Sequence, residues 1–492
     1  MLSNRRDLLK TFAAAPLALA APAKRPNVLV ILPDEWRAQA TGYNRDPNVH
    51  TPALDRLATE SASFDTAISG CPVCCPARAS MMTGQFPLTN GVFINDVELK
   101  PNGPALAEVF ARAGYRTGFI GKWHLYGSPD GHYGRRLAYI PPDKRLGFQY
   151  WKACECSHDY NHSLYYEGDD PTARYWPGYD AQAQTDDACG YIERQAKGSD
   201  PFFLFLSLGP PHFPYDTAPE KYRALYADRP IQLRPNVPED RRAEAVTALR
   251  GYYAHIAALD DCVNQLLTTL TRLRIADDTI VAFTSDHGDM MFSQGLTTKL
   301  YPWDESIRVP LLIRYPRRQG SKGRRIRTPV NMPDLMPTLL GLAGLPIPSG
   351  VQGTDNSALA CGGPERRDAA ALITLPVPIT EARRYGFAAY RGLRTERYTY
   401  VRSIEKPWLL YDDQTDPYQM HNRIGDPEYA SKRASLDSSL NAQLRRVHDD
   451  FLPAEEYVRR AGLGHYREVN VRVGYTKSPW GDWESTIATS GR

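Results

Sequence analysis

Four short apolar runs in this 492-residue chain each end directly in polar residues able to do chemistry, and that recurrence narrows the possible folds more than any other feature. Asn27–Leu32 runs into Pro33-Asp34-Glu35, and Thr117–Ile120 leads to Gly121-Lys122-Trp123-His124. Pro201–Leu206 leads to Pro210-Pro211-His212, and Thr279–Phe283 leads to Thr284-Ser285-Asp286-His287-Gly288-Asp289. Short continuous apolar runs suit strands buried on both faces, as in a parallel sheet covered by helices. Sheets of that kind bind ligands beyond the carboxyl ends of their strands, so the four polar segments are expected to share one site.

Helical segments fall between the runs. Thr51-Pro52 offers a cap followed by proline at the first helical position. A second helix covers roughly Pro76 to Thr83 and stops at Gly84, which places Cys74 and Cys75 at its amino terminus, where free N–H groups favour an anion. Arg241 to Leu273 reads as a long helix packed on the sheet. After about Leu345 the texture changes: Gly- and Pro-rich sequence gives way to alternating, Tyr-rich runs at Tyr390–Val401 and Trp408–Tyr411, then a helix near Tyr429–Phe451. The expected architecture is an α/β domain with a mixed, mostly parallel sheet over residues 24–362, and a smaller C-terminal α+β unit with an antiparallel sheet over 363–492.

Composition excludes several classes. Hydrophobic residues at 42% and charged residues at 23% rule out a disordered or polytopic membrane chain. The formal charge of +3 comes without a basic block, so nucleic acid is not an expected partner. Residues 1–23 stand apart: Arg5-Arg6-Asp7-Leu8-Leu9-Lys10 precedes an Ala-rich stretch about half as long as a bilayer span. That order reads as an export signal resembling the twin-arginine type, which implies the twin-arginine export machinery as a partner and a periplasmic or extracellular location. No later segment is long and apolar enough for a membrane span.

Eight cysteines in so long a chain do not make a disulfide scaffold, yet three crowd into five residues at 71, 74 and 75. They lack structural-zinc spacing, which points to a catalytic or modified cysteine. The stretch Cys71-Pro72-Val73-Cys74-Cys75-Pro76-Ala77-Arg78 resembles the signature of type I sulfatases, of the alkaline phosphatase superfamily, in which the cysteine of Cys-x-Pro-x-Arg is oxidised to formylglycine. Only Cys74 fits, since Cys71 has Val73 and Cys75 has Ala77 where proline is required. A hydrated aldehyde has two geminal hydroxyls: one attacks sulfur, and the other, deprotonated, expels sulfate by collapse of the hemiacetal.

The resemblance carries over to other strand-end residues. Asp34, Glu35, Asp286 and His287, with the converted Cys74, match the family's positions for a divalent metal, usually calcium. The family more often has Asp or Gln at the second position and Asn at the fourth, so Glu35 and His287 leave manganese or zinc open. Lys122 and Lys299 correspond to sulfate-binding lysines, His124 to the base that opens the sulfated hemiacetal, His212 to the proton donor to the leaving alcohol, and Arg78 to the residue that steadies formylglycine. Singly, each would equally be a cap, a turn residue or a surface charge.

Between these motifs, Cys154-Glu155-Cys156-Ser157-His158-Asp159-Tyr160-Asn161-His162 is a polar, aromatic loop suited to a sugar, with His158, Tyr160, Asn161 and His162 as candidate substrate contacts. Cys154, Cys156, His158 and His162 could instead form a small metal site. The reading implied is an exported sulfatase of sulfated carbohydrate, matured by a formylglycine-generating or anaerobic sulfatase-maturing enzyme. Two rivals are a phosphonate or phosphate ester hydrolase on the same scaffold and a silent sulfated-glycan-binding protein.

Overall fold

The computed structural model describes residues 25–127, 136–379, 382 and 385–464. The expected export signal at 1–23 lies outside them. A ten-stranded sheet forms the centre, in the spatial order Arg324–Ile326, Ala62–Phe64, Leu311–Arg314, Thr279–Thr284, Asn27–Asp34, Phe202–Pro211, Arg116–Lys122, Tyr150–Cys154, Leu164–Glu167 and Arg174–Tyr175. The five strands from Thr279–Thr284 to Tyr150–Cys154 run parallel, and antiparallel partners flank them on both sides. The four expected strands are all in the parallel core; the fifth, Tyr150–Cys154, was missed because Tyr150 and Lys152 interrupt its apolar run.

Strand pleat sorts the core. Val28, Val30 and Leu32 enter one apolar layer, and Leu29 and Ile31 enter the other, so the Asn27–Asp34 strand is buried on both faces. The long helix, Arg242–Arg272, packs in the second layer beside Asp180–Gln195 and Pro52–Thr59. Thr51 precedes Pro52 as expected, but its side chain caps no helix amide. Asp260 of the long helix does so instead, accepting from the amides of Ala53 at 2.8 Å and Leu54 at 2.9 Å.

The later part of the chain folds a four-stranded antiparallel sheet, Ala370–Leu375, Tyr390–Thr395, Tyr398–Ser403 and Pro407–Asp412. The helix Ala430–Arg446 covers it with Leu436, Leu440 and Leu444, spaced four apart on one face, against Leu372, Leu393, Tyr400 and Leu410. This sheet is bonded to the main body through Thr374, whose amide donates to Gly70 O at 2.6 Å. Among the described residues, no helix is long and apolar enough to cross a membrane.

Candidate active site

The helix Cys74–Thr83 begins at Cys74 and ends at Gly84, whose φ of 65° supplies the left-handed turn a helix stop needs. Its first turn therefore faces the carboxyl ends of the parallel strands. Arg78, one turn on, shares the face of Cys74 and reaches across the strand ends. Its Nε donates to Asp286 Oδ2 at 3.0 Å, Nη2 to Asp34 Oδ2 at 3.2 Å, and Nη1 to Ser207 Oγ at 2.7 Å and Lys122 O at 2.9 Å. Separate strand ends are thus tied to one buried guanidinium. Ser207 was missed by sequence reasoning, although a serine closing the run Phe-Phe-Leu-Phe-Leu is the signal that could have found it.

The structure gathers Asp34, Cys74, Asp286 and His287, all buried, with one donor atom from each within 4.8 Å of the others. Asp34 Oδ1 is buried and has no hydrogen-bond partner. Asp286 Oδ1 accepts from the amides of Glu35 and His287 at 3.1 and 3.0 Å. His287 Nδ1 lies 3.0 Å from Gly288 O and Nε2 faces Cys74 Sγ at 3.2 Å and Asp34 Oδ1 at 3.6 Å; burial opposes the charged ring, but Asp286 and Cys74 push its pKa up. An unpartnered buried carboxylate oxygen beside an imidazole Nε2 and a second carboxylate fits a divalent cation.

Glu35 is placed differently from the expected ligand set. It stands in a second group with Asp34 and His212. Its backbone is left-handed, φ 66°, and its Oε2 lies 3.0 Å from His212 Nε2 and 3.5 Å from Lys299 Nζ, while Oε1 has no partner. The longer glutamate therefore bridges from the metal side to the two cationic groups. Tyr252 of the long helix holds this strained turn: its hydroxyl donates to Glu35 O at 2.8 Å and accepts from Arg37 N at 2.9 Å. Nothing in the sequence pattern singles Tyr252 out.

Charge follows from these contacts. Burial opposes ionisation of Asp34, but Lys122, His212 and Arg78 hold its carboxyl well below the ordinary range. Burial and the nearby Asp34 push Asp286 up. Burial opposes the Cys74 thiolate, yet Lys122, Lys299 and His287 pull the thiol well below its usual value. For His212, burial is outweighed by Glu35 and its pKa rises to about 10, which keeps it protonated at neutral pH. Its Nδ1 lies 2.9 Å from Phe213 O, so Nε2 is the atom turned to Glu35 Oε2, at 3.0 Å, and to Lys299 Nζ, at 2.7 Å.

Lys122 contacts Asp34 Oδ2 and stands 4.0 Å from Cys74 Sγ. His124, left-handed at φ 55°, has Nε2 at 3.1 Å from Asp96 Oδ1. Asp96 in turn takes Arg136 Nε at 2.8 Å, completing a His-Asp-Arg chain of which only the histidine was legible in the sequence. Burial opposes the charged form of His124, but Cys156, Cys75 and Asp96 raise it well above the ordinary value. Lys299 sits between Thr298 (φ 59°) and Leu300 (φ 85°), and Leu300 O accepts from Tyr390 of the C-terminal sheet at 3.1 Å.

The loop expected to meet substrate divides. His158 stacks on His212 with ring centroids 4.3 Å apart. Tyr160 is fully buried, its hydroxyl 2.8 Å from His212 O and 3.1 Å from Phe213 O, so it supports the His212 turn. Asn161 is exposed and donates to Thr217 O at 3.0 Å; His162 is exposed and stacks on Tyr175. The alternative metal site does not gather: Cys154 packs with Leu164 and Tyr166, Cys156 lies beside His158, and His162 is on the surface.

Comparison with known proteins follows the same outline. Residues 26–345 match the family model described as Sulfatase, and residues 293–446 match one described as N-sulphoglucosamine sulphohydrolase, C-terminal. An ulvan-active sulfatase of Formosa agariphila is 43% identical over 438 residues, covering 89% of this chain and 84% of that protein. The crystal structure of a YidJ sulfatase from Bacteroides fragilis is similar at a TM-score of 0.80 and 30% identity, covering 90% of this chain and 99% of that one. A phosphonate monoester hydrolase of Agrobacterium radiobacter is similar at a TM-score of 0.68 and 25% identity, covering 85% and 96%.

Proposed function

This chain belongs to the sulfatase family and is a sulfuric ester hydrolase, and from that premise we propose that it removes sulfate from a sulfated polysaccharide by means of a formylglycine made from Cys74. The observation that carries the proposal is the position of Cys74: first residue of a buried helix, among Lys122, His287 and two carboxylates, with Arg78 one turn behind it. The polysaccharide is supported by the 43% identity to an ulvan-active enzyme. Phosphorus-ester hydrolysis is the second reading, favoured by the likeness to a phosphonate monoester hydrolase at lower identity.

Each residue then has a task. Lys122 and Lys299 hold the sulfate oxygens, and Arg78 fixes the two carboxylates and the base of the converted residue. His212 donates from Nε2 to the leaving oxygen, for which its raised pKa keeps a proton available. His124 takes the proton of the second geminal hydroxyl in its neutral form, so this step is expected to slow as pH falls below the raised pKa of the ring, and Asp96 orients the ring and stabilises the imidazolium formed. A divalent cation held by Asp34, the converted Cys74, Asp286 and His287, with Glu35 as a further candidate ligand, would polarise the sulfate and lower the pKa of the attacking hydroxyl; the oxygen-rich set favours calcium. His158, stacked on His212, is assigned to the leaving-group side, and exposed Asn161 and His162 remain candidate contacts for a longer substrate.

We assign catalysis to residues 24–362 and a supporting role to 363–492, where all four strands of the second sheet lie. Export through the twin-arginine route, with maturation before export, is the corresponding proposal for residues 1–23. The test is mass spectrometry of the Cys74 peptide from a maturing host, with sulfate release from ulvan and from glycosaminoglycans. A loss of roughly 18 Da, cysteine to formylglycine, together with sulfate release is the expected result. Unmodified Cys74 with turnover of a phosphonate ester but not of sulfate would overturn the reading.

A further inference from the structure

The donors around Cys74 change chemical character when that residue is converted. In the unconverted chain Cys74 Sγ lies 3.2 Å from His287 Nε2, which lies 3.6 Å from Asp34 Oδ1 and 3.8 Å from Asp286 Oδ1. Four donors at tetrahedral corners stand about 3.3–3.6 Å apart when the bonds to zinc are about 2.0 Å to nitrogen or oxygen and about 2.3 Å to sulfur. The three spacings from His287 Nε2 lie within about 0.5 Å of those edges, and all four donor atoms lie within 4.8 Å of one another. Asp34 Oδ1 is buried and unpartnered, and His287 Nε2 already faces the sulfur and this oxygen.

Thiolate and imidazole favour zinc and cobalt over calcium and magnesium, whereas carboxylates accept either class. Formylglycine replaces the sulfur with oxygen and so moves the set toward hard cations. We propose that the folded, unconverted chain is a zinc-type site in which Asp34, Cys74, Asp286 and His287 hold a borderline-soft dication through the Cys74 thiolate, and that conversion of Cys74 abolishes this preference. The proposal rests on the reading of Cys74 as the converted residue. Binding forms one sulfur–metal bond and one nitrogen–metal bond and releases to solvent the single proton that the Cys74–His287 pair holds; nothing is oxidised.

The test uses the full chain made in a host without a sulfatase-maturing enzyme, with the thiol at residue 74 verified by mass. After chelator treatment, titration with Co2+ is expected to give a thiolate-to-cobalt charge-transfer band in the near ultraviolet and four-coordinate bands in the visible, displaced by Zn2+. Cys74→Ser is expected to lose the charge-transfer band and to bind Zn2+ roughly 100-fold more weakly, with Ca2+ binding changed little. Should that variant not fold, His287→Asn keeps the thiol and is expected to weaken Zn2+ binding and shift the visible bands. No charge-transfer band in the Cys74 chain, or the same band in Cys74→Ser, overturns the proposal. Sulfate release by the converted chain is measured separately: its failure would sink the hydrolase mechanism and leave the cobalt spectrum standing.

Discussion

Arg78 Nε donates to Asp286 Oδ2 at 3.0 Å, which leaves Oδ1 of the same carboxylate to the amides of Glu35 and His287 and to the face shared with Cys74. The guanidinium thereby fixes the rotation of the Asp286 carboxylate, and with it which oxygen faces the amides of Glu35 and His287. A lysine keeps the charge but has no planar fork to bind Asp34, Asp286 and Ser207 together. Arg78→Lys is expected to lower kcat on nitrophenyl sulfate by about 100-fold or more, with the circular dichroism spectrum retained. A kcat within a few-fold of the parent would mean that the arginine is not what positions this carboxylate.

Asp96 is buried, paired with both His124 and Arg136, and outside the metal group. Asp96→Asn preserves shape but weakens the orientation of His124 and the stabilisation of its charged form. The expected outcome is a fall in kcat of roughly 10- to 100-fold with KM little changed. An unchanged kcat with a raised KM would assign Asp96 to substrate binding instead.

Gly121 precedes Lys122 with φ +104°, and a Cβ there would fall far inside contact distance of Ser207 O on the neighbouring strand. The neighbour is backbone and cannot yield cheaply, so Gly121→Ala is expected to cost more than about 2 kcal/mol and to displace Lys122. Gly91, at φ +82° with nothing within 4 Å of an added methyl, is the control, and Gly91→Ala should cost about 1 kcal/mol. Denaturant midpoints compare the two; equal costs would contradict the role of the Ser207 contact.

Asp180 begins the helix Asp180–Gln195, and burial pushes its carboxyl from 3.8 up to about 8. The folded chain therefore holds this proton more tightly than the unfolded chain. Its contribution to stability is greatest below pH 3.8, declines as pH rises toward about 8, and is constant above that. Asp180→Asn removes the titration, so the stability difference between variant and parent should grow in the variant's favour across that window, by at most about 1.4 kcal/mol per pH unit. Parallel pH profiles of thermal unfolding for the two proteins would rule this out.

The parallel core and the location of its site were legible because both depend on local pattern. Asn27–Leu32 and Thr279–Phe283 are too apolar to leave a face in water, and the polar residues that follow them fall where strands end. Cys74 and Arg78 could be paired at a distance because one helical turn separates them. The strand Tyr150–Cys154 was hidden, since Lys152 and the Tyr150 hydroxyl both bond Asp187 of a neighbouring helix rather than pack in the core.

By itself, then, the sequence determined the residue types delivered at each strand end and the one cysteine that fits the signature, since periodicity and motif spacing are properties of neighbours along the chain. Only the tertiary structure decided which of those residues meet. Glu35 turned toward His212 and Lys299 because Tyr252, 217 residues away, holds its backbone left-handed. Asp96 and Arg136 joined His124, Asp260 capped the helix that Thr51 precedes, and Tyr160 was buried under the His212 turn. Each of these outcomes pairs a buried polar group with a partner remote in sequence, and the cost of leaving such a group unpaired is a property of the assembled interior.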